Sequence, residues 1–161
     1  MLYSQRDKRW AKIKLGTCST TIAKSGCLIT ILASLFNYTP PKVNDLLLMN
    51  NGYIGGCLVN WQKAKRVFNF RYLGMGTESP DFYPVIAHVK LGLVGHFILM
   101  YNKSEFYDPF YGDVASLSFR QYKIINYRYI KIPVDPQDSK VKDFLTIIAL
   151  LRKYIVGPEM V

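Results

Sequence analysis

The stretch from Gly26 to Phe36, Gly-Cys-Leu-Ile-Thr-Ile-Leu-Ala-Ser-Leu-Phe, constrains this chain more than any other. Its residues are apolar nearly all round, so a helix built from them has no face to offer water and must run through the middle of a packed body. Asn37 and the pair Pro40-Pro41 come next, and prolines at that distance end the helix before them. The longest apolar runs, such as Phe144 to Leu151, fall well short of the ~20 residues that cross a bilayer. A buried central helix, with other elements packed around it, is the expected framework.

Those other elements are read from the punctuation. Val43 to Asn50 is expected as a second helix after the Pro41 start, with Leu46, Leu47 and Met49 inward and Asn50-Asn51-Gly52 as its end. Val59 to Val67 is expected as a third. From Pro84 onward the texture changes to short apolar runs separated by Gly, Asn, Ser and Pro, which is the pattern of strands and turns. The expected strands are Val85 to Lys90, His96 to Tyr101, Glu105 to Asp108 and Tyr127 to Ile132, with Gly92 and Gly95 turning the chain between the first two. A last amphipathic helix, Ser139 to Tyr154, carries Phe144, Ile147, Ile148 and Leu151 on one face; packing on the body and binding a partner are the two uses of such a face. Helices first and an antiparallel sheet second define an α+β fold. The 161 residues contain no repeat and no linker, and are expected to form one domain over 1–161.

Half the residues are hydrophobic and the chain holds 12 Tyr and 9 Phe, which excludes disorder. Its 21 Lys and Arg outweigh 11 Asp and Glu, for a formal net charge of +10. The excess suits nucleic acid, an acidic membrane face or the anionic polymers of a bacterial wall, and equally a solvated surface. The basic residues are scattered, and no zinc knuckle or RNA-recognition motif accompanies them, so specific nucleic-acid binding ranks last. Gln5, Arg6, Asp7, Lys8 and Arg9 crowd the start, where a signal peptide would need an apolar stretch. The expectation is a protein that is cytoplasmic as synthesised, released by lysis or on a virion if it acts outside. The three cysteines, Cys18, Cys27 and Cys57, form an odd count without CxxC spacing, so neither a disulfide framework nor a zinc site is expected.

Chemistry is sought first at Cys27. A free thiol has a pKa of about 8.5, and cysteine attacks as thiolate, so a reactive cysteine needs a helix N-terminus or an imidazolium beside it. Cys27 follows Gly26 at the opening of the apolar helix, where first-turn N–H groups favour negative charge; the competing reading is an inert core cysteine. The chain has two histidines. His96 opens a strand after Gly95, whereas His88 lies mid-strand among Val85, Ile86 and Val89 and reads as structural. A third group must hold the imidazole by its other nitrogen. Asp108 ends the strand expected to pair with that of His96, and Pro109 and Gly112 force a turn after it. An oxyanion would take the Cys27 N–H and a side-chain amide; spacing alone does not choose Gln5 over Asn37 or Gln62. Cys57, after Gly55-Gly56, is a rival nucleophile without local support.

Taken together these segments resemble the C39-like peptidases, papain-like cysteine peptidases of bacteria and their phages. Gln5-Arg6-Asp7 with Arg9-Trp10 and Leu15-Gly16 resembles the family's opening Gln-x-Asp-x-x-Trp segment. Ser25-Gly26-Cys27-Leu28-Ile29-Thr30 resembles the nucleophile helix, and Tyr38-Thr39-Pro40 with Val43-Asn44 resembles the family's segment just beyond that helix. Pro84-Val85-Ile86, Gly95-His96-Phe97-Ile98 and Tyr107-Asp108-Pro109 with Gly112 resemble the strand, histidine and aspartate segments, in the family's order. Leu28 and Ile29 stand where the family often has Gly and Pro, and the transporter segments of bacteriocin exporters are missing from the chain.

The resemblance implies a papain-like fold and a peptidase with Cys27 as nucleophile, His96 as base, Asp108 as its orienter and Gln5 in the oxyanion hole; a monomer is expected. It implies no metal or organic cofactor. The substrate is expected to be a peptide, with the cross-links of an anionic peptidoglycan first and a cytosolic protein or leader peptide as the alternative. A non-enzymatic binding module on the same fold is the rival class.

Overall fold

The computed structural model describes residues 1–92 and 94–133. Its centre is the helix that the apolar run dictates. A short α1 (Ile22–Ser25) leads through Gly26 into α2 (Cys27–Phe36), in which every residue from Leu28 to Leu35 is buried. Thr30 and Ser34 are tolerated there because their hydroxyls donate to the carbonyls of Gly26 (2.8 Å) and Thr30 (3.0 Å), one turn back. Asn37 closes the helix in the left-handed conformation. Phe36 then stacks on Phe68 and Phe70, at 5.4 and 5.6 Å between ring centres.

Two helix starts differ from expectation, each for a local reason. α3 (Pro40–Met49) begins at the prolines themselves, which lose nothing in a first turn whose N–H groups have no intrahelical partner. The hairpin β1 (Tyr53–Ile54) and β2 (Leu58–Val59) takes up Val59. α4 (Trp61–Val67) therefore starts after Asn60, whose side chain accepts the N–H of Gln62 at 3.0 Å and Lys63 at 3.3 Å.

The main sheet comprises β3 (Arg71–Gly76), β4 (Val85–Leu91), β5 (Val94–Met100), β6 (Glu105–Asp108), β7 (Asp113–Ser116) and β8 (Lys123–Lys131), with α5 (Leu117–Arg120) between the last two. The order is β3-β8-β4-β5-β6-β7, every pair antiparallel. The expected pairing of the Glu105–Asp108 strand with the His96 strand is present, with Leu99 opposite Tyr107 and Met100 opposite Phe106. β3 went unforeseen because Gly74 and Gly76 weaken its strand pattern; it is an edge strand, where glycine costs least, and its register shifts between Tyr72 and Gly74. Gly95 does not turn the chain but lies within β5, opposite Lys90. The fold is α+β, as expected. No helix among the described residues is long and apolar enough to cross a membrane. The helix expected over Ser139 to Tyr154 lies outside the described residues.

Side chains alternate along β5. His96, Ile98 and Met100 share one face, on which Val85, Ala87, Val89, Phe106, Tyr122 and Tyr127 complete a buried cluster. On the other face, Tyr107 meets α2 through Ser34, whose hydroxyl lies 3.2 Å from the phenol, and donates to the carbonyl of Tyr3. The N-terminal segment is thereby tied to both the helix and the sheet.

The expectation for the cysteines is also overturned. Cys18 and Cys57 form a disulfide, with Cα atoms 5.8 Å apart across a sequence separation of 39. The odd cysteine count obscured it, since one free thiol and one bridge also sum to three. Loop contact makes the pairing. Gly16 has φ +55 and lies so close to Gly56 that a Cβ would sit 2.0 Å from the Gly56 oxygen, and the Thr17 N–H donates to that oxygen at 2.9 Å. Buried Asn44 on α3 fixes the same corner by accepting from the Gly16 N–H and the Tyr53 hydroxyl, both at 2.8 Å.

Candidate active site

Cys27 is the first residue of α2 and is partly exposed, with the only free thiol among the described residues. Gly26 makes that placement possible. A Cβ there would lie 2.5 Å from the Ile22 oxygen and 2.7 Å from the Ile22 Cγ2, so only glycine lets α1 fold onto the start of α2. The thiol consequently sits at a helix N-terminus, at the positive end of ten aligned peptide dipoles.

His96 reaches it from the sheet. Its Nε2 lies 2.8 Å from Oδ1 of Asp108, the histidine being 8% and the aspartate 0% exposed. An ionised carboxylate only accepts, so Nε2 carries the proton in that bond, and Nδ1 is the nitrogen left to face Cys27, which lies near enough to raise the pKa of the ring. Burial pulls the imidazole down, but the hydrogen bonds and charges of Asp108 and Cys27 outweigh it and carry the histidine up to about 9. Burial alone would push Asp108 up; hydrogen bonds from His96, Tyr122 and the Phe110 N–H reverse that and hold its carboxyl below the usual range. The pairing thus favours a protonated imidazole held against the ionised Asp108.

The turn after β6 has the geometry its residues demand. Gly112 donates back to the Asp108 carbonyl at 2.7 Å, and the Phe110 N–H donates to Oδ1 at 2.9 Å. The same turn receives the N-terminal segment: the Gln5 N–H donates to the Pro109 carbonyl at 2.7 Å and the Ser4 hydroxyl to that of Phe110 at 3.2 Å. Gln5 is 2% exposed, and its Nε2 donates to the Ala23 carbonyl at 2.8 Å. It lies between the α1 residue one turn before Cys27 and the residue after Asp108. Its Nε2 has a second hydrogen for an oxyanion, while its Oε1 is buried without a partner. Of the competing amides, Asn37 caps the opposite end of α2, about 15 Å of helix away, and Gln62 is exposed on α4.

Cys27, His96 and Asp108 are therefore brought together, with Gln5 at their border. His88 is not among them; it stacks on Phe97 on the other face of the β4–β5 pair, 4.8 Å between ring centres, and burial lowers its pKa. Cys57 is withdrawn as a rival nucleophile by its disulfide. Tyr122 is the contact that spacing could not reveal. It stands fourteen residues beyond Asp108 in a chain of 12 tyrosines, and its hydroxyl donates to Asp108 Oδ2 at 2.6 Å.

The chain matches no family model, no curated protein and no solved structure. Its chemistry is legible in the residues themselves. A thiol at a helix N-terminus, a neighbouring histidine bonded to a buried carboxylate, and amide donors nearby can generate a nucleophile, transfer a proton and stabilise an oxyanion. No group of three or more His, Cys, Asp or Glu side chains suited to a metal ion occurs among the described residues.

Proposed function

We propose that this protein is a papain-like cysteine peptidase acting through Cys27, His96 and Asp108. The observation that carries the reading is the position of His96, hydrogen bonded to the buried Asp108 and close enough to the Cys27 thiol at the helix start for the two to interact. The Cys27 thiolate attacks a peptide carbonyl carbon, and the oxyanion takes hydrogen bonds from the Cys27 N–H and the Gln5 amide. As the C–N bond breaks, His96 gives its proton to the leaving amine and an acyl thioester remains. His96 then takes a proton from water, whose oxygen displaces the thiolate and releases the acid. A buried helix that opens on Cys27 and packs against an antiparallel sheet carrying His96 and Asp108 supports the papain-like assignment.

The net charge of +10 supports an anionic substrate, with the peptide cross-links of peptidoglycan as the first choice. The Cys18–Cys57 disulfide supports a working place outside a reducing cytosol, reached by lysis or on a virion. Purified peptidoglycan and a mixed peptide library, each digested with wild type and with Cys27→Ala, test the reading. New free amines from wild type alone are expected; equal yields from both proteins refute it.

A further inference from the structure

The Asp108 carboxylate uses both oxygens. Oδ1 accepts from His96 Nε2 and from the Phe110 N–H, and Oδ2 accepts from the Tyr122 hydroxyl at 2.6 Å. Tyr122 is 9% exposed and immediately precedes β8. Its ring is braced by Phe106, 5.5 Å between centres, and its edge meets the imidazole of His96 at 6.1 Å and 60°. The phenol thus touches both members of the pair, with its oxygen on one and its ring on the other.

We propose that Tyr122 is a positioning residue of the catalytic group, which fixes the rotation of the Asp108 carboxylate and covers the His96–Asp108 hydrogen bond against water. A carboxylate on a short side chain turns readily, and either oxygen can face a histidine. Occupying Oδ2 with a strong donor leaves Oδ1 as the oxygen for Nε2, and the Phe110 N–H pins that oxygen from the other side. The donor has no rival use, because burial and the adjacent carboxylate both disfavour a phenolate, so Tyr122 stays protonated, and a donor, around neutral pH. The packed ring excludes water that would compete for the same lone pairs, and hydrogen bonds strengthen where water is excluded. This inference rests on the peptidase reading, since positioning matters only if His96 serves Cys27.

The test uses iodoacetamide as probe, reading the alkylation rate of Cys27 by peptide mass mapping from about pH 3 to 10. It compares wild type, Tyr122→Phe, Asp108→Ala and the double variant, each checked for a cooperative melt. Phenylalanine keeps the ring and the packing, so a purely structural role predicts a profile like wild type. With the hydroxyl gone, the carboxylate loses a donor to its charged form. The acid limb of the profile moves to higher pH and the plateau falls about tenfold. In the Asp108→Ala background the same change has no further effect, because the hydroxyl acts only through the carboxylate. A wild-type profile for Tyr122→Phe, or an equal loss in the Asp108→Ala background, overturns the proposal while leaving the peptidase reading standing. If wild-type Cys27 itself reacts no faster at pH 6 than an ordinary thiol, both fall together.

Discussion

His96 Nε2 and Asp108 Oδ1 lie 2.8 Å apart, the carboxylate wholly buried and the imidazole nearly so. The pair must therefore tie stability to pH. The raised histidine contributes stability that is fully present below its ordinary 6.5 and is lost as pH rises through about 9; that displacement corresponds to ~3 kcal/mol. The lowered aspartate contributes stability present above its ordinary 3.8 and lost as pH falls through its folded value. Thermal melts of wild type and Asp108→Asn across pH 3 to 10 should differ most between about 4 and 6.5, converge at the acid end, and keep a smaller gap above about 9, where only the histidine's share is lost. A gap independent of pH would show that the pair is not ionised as described.

Gln5 should matter to acyl transfer but not to the nucleophile. Gln5→Ala is expected to slow peptide hydrolysis ~100-fold by removing one oxyanion donor. Alkylation of Cys27 by iodoacetamide, which forms no oxyanion, should proceed at the wild-type rate. A matching loss in both assays would instead mean that Gln5 holds the Ala23 and Pro109 segments in place and serves no oxyanion.

The disulfide should be worth more than its surface position suggests. Closing a loop of about 40 residues removes unfolded-state entropy equivalent to ~4 kcal/mol in the chain-entropy treatment. Cys18→Ala and Cys57→Ala should each lower Tm by ~10 °C or more while Cys27 stays fully reactive below the melt. Mass mapping of the non-reduced protein should recover Cys18 and Cys57 in one linked peptide pair, and two free thiols there would disprove the bridge.

Gly26→Ala tests the hinge beneath Cys27. The new methyl group meets the Ile22 carbonyl at 2.5 Å, a backbone atom that cannot swing aside. A loss of ~1–3 kcal/mol is expected in denaturant titrations, together with slower alkylation of Cys27 as α2 shifts away from His96. Unchanged stability would mean that α1 moves freely, contrary to the close packing of Ile22.

If the positive charge draws the protein to an anionic wall, hydrolysis of peptidoglycan should fall steeply between low and moderate salt, while hydrolysis of a small neutral peptide should not. Equal salt responses on the two substrates would leave the charge as a solvated surface.

Local pattern carried much of this protein. The Gly26–Phe36 run has one solution, a buried helix, because no face of it tolerates water, and alternation with turn residues placed the strands of His96 and Asp108 in their pairing order. Cys27 at a helix start and Asp108 before a Pro-Gly turn were legible for the same reason: backbone capping and turn chemistry act over a few residues. What local pattern could not decide were contacts made across the fold. The Cys18–Cys57 bridge depends on two glycine loops touching 39 residues apart, and β3 became a strand only because β8 offered it a ladder. Gln5 was one of three amides until the Pro109 turn and α1 closed around it, and Tyr122 was one tyrosine among 12 until the sheet brought its hydroxyl to Asp108. Spacing along the chain records nearest neighbours, whereas a hydrogen bond between distant residues is decided by packing that only the assembled sheet and helix impose.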